Sequence, residues 1–253
     1  MNHKWPFAIF VLMLFLLISA APCAEAVPFP TIQVVLGEAE NPGQVSVIIQ
    51  IVALLTILTL APSILIMMTS FTRLAIAFSF LRQALGTQQM PPNQIVMGLS
   101  LFLTFFIMMP VWQKINQNAI QPYMSEEISQ EKALKEAINP VRDFMFKQTR
   151  KSDLALFLQM AEIKKPNNPS EVPTSVLIPS FIISELKTAF IIGFVLYIPF
   201  LIIDMVVASI LLSMGMMMLP PIMISLPFKL MLFVLVDGWN LIVGSLVKSF
   251  IGG

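Results

Sequence analysis

The chain has 253 residues, of which 57% are hydrophobic and only 11% charged, with a formal net charge of +1. Soluble domains carry about 25% charged residues, so this composition excludes a surface that faces water throughout, and the near-neutral balance gives no footprint for nucleic acid. The single His (His3) and single Cys (Cys23) lie in or beside an N-terminal segment with the marks of a removable leader, so the mature chain is expected to lack His general bases, thiol nucleophiles, disulfides and Cys/His metal sites.

In chain order, residues 1–26 read as a signal peptide. Lys4 supplies the positive start, and Phe7 to Ile18 is an unbroken apolar run of 12 residues, too short to span a bilayer as a helix. Ala24-Glu25-Ala26 offers a small-x-small cleavage site, and Ser19-Ala20-Ala21 a second one. Cys23 admits a lipoprotein reading, which the preceding Pro22 disfavours; an uncleaved anchor is the other alternative. Residues 27–44, punctuated by Pro and Gly, read as a short exported arm.

Residues 45–112 are expected to form a first hydrophobic hairpin. Val45 to Met68 has no charge over 24 residues; as a helix it would be about 36 Å long, enough to cross the hydrocarbon core. Pro62 is expected to kink it. Residues 69–94 read as a shorter link that holds Arg73 and Arg82 and no acid, ending in a turn around Pro91-Pro92. Ile95 to Trp112 is the second segment, with Trp112 at an interfacial position. If the leader places the N-terminus outside, the basic link is cytoplasmic, as the positive-inside rule asks.

Residues 113–180 are the hydrophilic part, expected to be a periplasmic helical region. From Lys114 to Pro179 there are nine Lys/Arg and eight Asp/Glu. Glu126 to Ala137 reads as helical, and Leu154, Phe157, Leu158 and Ala161 form an amphipathic stripe. So few apolar residues would be marginal as an independent core, so packing on copies of the chain or on partners is expected.

Residues 181–253 form the second hydrophobic hairpin, Phe181 to Leu219 and Ile222 to Phe250, with Pro199 bending the first arm. Glu185, Lys187, Asp204, Lys229 and Asp237 interrupt these apolar runs. A charge inside a span costs about 2.5–3.5 kcal/mol on insertion scales, so each needs a counter-charge. Glu185 and Lys187 are two apart, on different helix faces, and Lys229 and Asp237 are eight apart. Any pairs therefore join different helices or different subunits. They serve either as packing-specific salt bridges or as an ion or proton path. Between the arms, Met214 and the run Met216-Met217-Met218 precede the turn at Pro220-Pro221. Four Met in five residues is either ordinary core filling or a flexible seal.

Several strings are more specific. They are Leu60-Ala61-Pro62-Ser63-Ile64-Leu65, Thr69 to Arg73, Ala84 to Gln89 and Pro91 to Gln94. Further on come Ile182 to Phe190, Ile192-Gly193-Phe194, Ile203 to Ser209, Leu219-Pro220-Pro221, Pro227 to Leu230 and Asp237-Gly238-Trp239. In this order and spacing, over residues 48–250, they resemble the FliP family of flagellar type III export proteins. The injectisome homologues share that architecture, and the signal sequence and Met triplet look more flagellar.

The resemblance implies an all-α integral membrane protein with about four hydrophobic segments and kinked helical hairpins. It implies a ring of about five copies, joined by FliQ-like, FliR-like and FlhB-like gate subunits and an FlhA-like export protein. Unfolded flagellar substrates would pass through the centre, and membrane lipid would surround it; no cofactor, catalytic residue or nucleic acid is implied. Met214 and Met216 to Met218 would form the pore seal beside the Pro220-Pro221 turn, and Glu185, Asp204 and Lys229 would be buried charges between helices or subunits. A small oligomeric transporter or ion channel using those charges is the rival reading.

Overall fold

The computed structural model describes residues 42–87, 90–163, 166, 168–216 and 218–251. The leader and nearly all of the exported arm lie outside them. The chain divides into two units, Met1–Ala53 and Leu54–Gly253. The described part of the first is the opening of helix α1 (Pro42–Met67), which runs through Pro62. Every element described is helical, and the second unit contains all that follows.

Helix α2 (Phe71–Ala84) occupies the stretch read from sequence as a link. Its Leu74, Ala77, Phe78, Leu81 and Ala84 recur at helical spacing, and all five are buried. They meet Ile107 of α3 (Asn93–Ile115), Phe200 of α7 (Thr174–Ser213), Phe233 of α8 (Pro221–Leu235) and Leu246 of α9 (Gly238–Ile251). A short charged helix is thus the central post of the apolar unit. Two arginines hid this from hydropathy, but one of them turns out to be buried.

Helix α3 buries a narrow stripe, Val96, Ser100, Thr104, Ile107, Met108 and Val111. The two hydroxyls fold back on the helix: Ser100 donates to the Val96 carbonyl at 2.8 Å and Thr104 to that of Ser100 at 2.7 Å. The helix then passes through a π-helical turn, Asn116–Ile120, into α4 (Gln121–Met124). Pro122 lacks an N–H and would crowd the carbonyl four residues back, so the wider turn relieves an α-helix at this point.

The hydrophilic region folds as α5 (Gln130–Gln148) and α6 (Lys151–Met160). Helix α5 starts later and ends later than the sequence suggests; its Ser129 cap accepts from the Lys132 N–H at 3.4 Å. On α6, Leu158 is buried, whereas Ala161 is exposed and lies just past the helix. Met145 and Leu158 pack with Val172, Val176, Leu177 and Phe181. The region therefore completes its core on the first turns of α7 in the same chain.

Helix α7 has 40 residues, about 60 Å at 1.5 Å per residue, twice a hydrocarbon core of about 30 Å. Among the described residues, two helices are long and apolar enough to cross a membrane, Asn93–Met124 and Thr174–Ser213; α8 and α9 make a third if counted together, bent by 64°. Ile49–Ile64 is a shorter apolar stretch. The four hydrophobic segments are all helical, but the last is broken rather than straight. Asp237 at the break has φ +50°, and Gly238 lies against the Phe233 ring, where a Cβ would overlap ring carbons.

Candidate functional site

The charges inside the apolar unit are solved by pairing between helices. Glu185, on α7, is fully buried, and Arg73, on α2, is 3% exposed. Arg73 Nε donates to Glu185 Oε2 at 3.0 Å, and Nη2 donates to Oε1, making the two-pronged contact that guanidinium and carboxylate favour. The same guanidinium donates to Gln148 Oε1 of α5 at 2.9 Å and to Ser249 Oγ of α9 at 3.1 Å. Its Cζ lies 3.8 Å from the centre of the Phe250 ring, and Gln148 Nε2 donates to the Phe250 carbonyl at 3.2 Å. One cation thereby joins α2, α5, α7 and α9.

Arg73 was placed by sequence among the charges of a cytoplasmic link, and the structure moves it inside. The signal was present: Arg73 falls on the same helical stripe as Ala77 and Ala84. Because Arg73 is paired and buried, Arg82, itself half-buried, is the one cation of that link left for the positive-inside argument.

The second pair joins α7 to α8. Lys229 Nζ donates to Asp204 Oδ2 at 2.6 Å and to the Ala84 carbonyl at 3.3 Å, and Ser225 Oγ donates to Asp204 Oδ1. Lys229 is buried, whereas Asp204 keeps 19% exposure. Both pairs lie within one chain. Lys187 and Asp237, grouped with these charges by sequence, are exposed on it. Residues two apart point about 200° apart on a helix, so burying Glu185 turns Lys187 outward. Asp237 sits at the break before α9, where it accepts from Asn240 Nδ2 at 3.1 Å.

A third polar cluster ties α6 to α7. Ser184 Oγ donates to Asp153 Oδ2 at 2.8 Å and accepts from the Arg150 backbone N–H at 3.0 Å. Sequence reading did not single out this cluster, because Asp153 lies in a hydrophilic stretch where acids are common and Ser184 is a neutral residue in an apolar one.

The methionines follow the end of α7. Gly215, at φ +75°, ends the helix: its N–H reaches the Leu212 carbonyl at 3.1 Å, and that of Met216 reaches Leu211 at 3.0 Å. Pro220 and Pro221 open α8, where a missing N–H costs nothing. Met214 and Met216 are exposed, and Met218 is 97% exposed; Met217 lies outside the described residues. Met214, Met216 and Met218 therefore stand on the connection between α7 and α8 and do not fill this chain's core.

Comparison with known proteins places this architecture. The model of the FliP family matches residues 54–246. The chain is 57% identical over 212 residues to the flagellar biosynthetic protein FliP of Bacillus subtilis, covering 84% of this chain and 96% of that one. It is 58% identical over 202 residues to FliP of Pectobacterium carotovorum, covering 80% and 78%. It is 57% identical over 223 residues to FliP of Aquifex aeolicus, covering 87% and 92%. The matched span begins within α1 and ends within α9, taking in both ion pairs and the connection between α7 and α8, and on this ground the chain belongs to the FliP family.

Proposed function

We propose that this chain is a pore-forming subunit of the flagellar type III export gate, passing unfolded flagellar subunits across the bacterial inner membrane. The observation that carries the reading is the exposed methionine loop between α7 and α8, in a chain of the FliP family. A gate must stop ions at rest and accept chains of any sequence. Thioether side chains repack around varied shapes, and an apolar constriction excludes water when empty. Met214 and Met216 to Met218 of several copies would converge as that seal, with Pro220 and Pro221 fixing the return of the chain into α8.

In this reading the protein is a structural component and not an enzyme. It stands in the flagellar basal body as a ring of about five copies, with FliQ-like, FliR-like, FlhB-like and FlhA-like neighbours, and residues 113–180 face the periplasm. Glu185, Asp204 and Lys229 act in packing. Glu185 accepts both prongs of the Arg73 guanidinium, and Asp204 accepts from Lys229 and Ser225, which favours a structural role over an ion path.

The test is to replace Met216, Met217 and Met218 together with Ala and measure leak of small ions through membranes holding assembled complexes. The expected result is a raised resting leak with assembly retained. Assembled complexes with unchanged leak would overturn the seal.

A further inference from the structure

A polar recess of about 470 Å³ opens between α2, α7 and α8. Arg82, Ser79 and Gln83 line it from α2, Tyr197 and Asp204 from α7, and Lys229 from α8. Its one carboxylate is already occupied, since Asp204 accepts from both Lys229 and Ser225. Lys229 uses two of its three N–H groups, on Asp204 and the Ala84 carbonyl, leaving one free. Arg82 and Tyr197 have no side-chain hydrogen bond or ion pair among the described residues. The charges sum to one net positive, and free donors outnumber free acceptors.

An uncompensated cation on a helix of the apolar unit calls for a counter-charge. We propose that the recess binds the phosphate of an anionic membrane phospholipid, with Arg82 as the main contact and Lys229 and Tyr197 as supporting donors. Three observations select this ligand. The volume falls in the range of about 300–1,000 Å³ that takes a multi-atom ligand, larger than one inserted carboxylate side chain needs. The walls include α7, itself long and apolar enough to span, and basic recesses between spanning helices are where lipid phosphates bind. Ile222, which lines the recess, and Leu201, one helical turn from both Tyr197 and Asp204 on α7, are exposed and apolar, a surface on which acyl chains can lie.

The experiment uses the full chain, purified in mild detergent and stripped of lipid. It is titrated with dioleoyl phosphatidylglycerol, with glycerol 3-phosphate and with inorganic phosphate, and bound species are counted by native mass spectrometry. The lipid is expected to bind at least about a hundredfold more tightly than either free phosphate. Arg82→Gln is expected to weaken it about tenfold, Arg82→Lys to recover part of the loss, and Tyr197→Phe to weaken it a few-fold. Arg82 has no hydrogen-bond or ion-pair partner among the described residues, so thermal unfolding of its variants should match the parent, and the milder Tyr197→Phe provides a second, independent readout. Lipid binding unchanged in Arg82→Gln, or free phosphate bound as tightly as lipid, would overturn the proposal. So would an assembled complex in which Arg82 contacts a carboxylate of a neighbouring chain and no lipid is retained.

Discussion

At the scale of residues, Arg73 and Glu185 bear the largest consequence. Removing one member of a buried pair leaves the other uncompensated, at about 3–5 kcal/mol, whereas replacing both with well-packed apolar residues is often neutral. Arg73→Met is therefore expected to abolish stable accumulation in the membrane, and Glu185→Leu to do the same. Arg73→Met combined with Glu185→Leu should recover much of the loss, read by protein level and thermal unfolding in detergent. The orphaned Gln148 and Ser249 contacts set the remaining deficit. For the second pair, Asp204→Lys or Lys229→Asp alone should prevent assembly, and the exchange of both should restore it in part, measured by size of the extracted complex. Normal assembly of the single variants with lost export would instead favour a proton-carrying role. The sequence exposed one half of each problem. Glu185, Asp204 and Lys229 stand out in apolar runs, so their need for partners was legible. Arg73 was not, because a cation in a moderately polar stretch resembles any surface charge until its helix is known to be central.

At the scale of elements, helix α2 meets α7 at a close approach that one glycine permits. A Cβ at Gly193 would overlap Phe80, whose ring also meets Phe190 edge-on with centroids 5.1 Å apart. Gly193→Val is expected to destabilise the chain by about 1–3 kcal/mol through overpacking, and Phe80→Ala added to it should return part of that. A drop in thermal midpoint for the single variant, smaller in the double, is the expected pattern. From sequence, Gly193 belonged to the string Ile192-Gly193-Phe194, but nothing in that string showed that a close helix approach requires it. The glycine at the end of α7 is legible by contrast. Gly215 follows an apolar helix and precedes Pro-Pro, and its left-handed φ closes the helix. Gly215→Ala should cost about 1 kcal/mol and shift the segment that follows α7, seen, if the proposed gate holds, as reduced export with the size of the extracted complex unchanged.

At the scale of the whole molecule, the apolar surface of the second unit is extensive. Phe102, Phe194 and Leu235 are among many large side chains exposed on the single chain, far beyond the few hundred square ångströms that soluble monomers tolerate. Such a surface calls for cover by lipid or by other protein. The hydrophilic region is bound into the same unit, since Met145 packs beneath Phe181 and Gln148 reaches Arg73. Deleting residues 125–172 is therefore expected to destabilise the apolar helices, lowering accumulation of the chain in membranes. An independently folding region would leave accumulation unchanged.

Composition alone excluded a surface that faces water throughout, because 11% charged residues cannot cover one, and the all-helical membrane fold followed from the family resemblance. The ordered strings determined its family, and the buried acids announced that partners must exist. Tertiary structure alone decided who those partners are. Arg73 reaches Glu185 across 112 positions of sequence, and no local period encodes a contact at that separation. It also decided that a stretch read as a link is the central post. Burial depends on which helices surround a segment, and hydropathy measures only the segment itself.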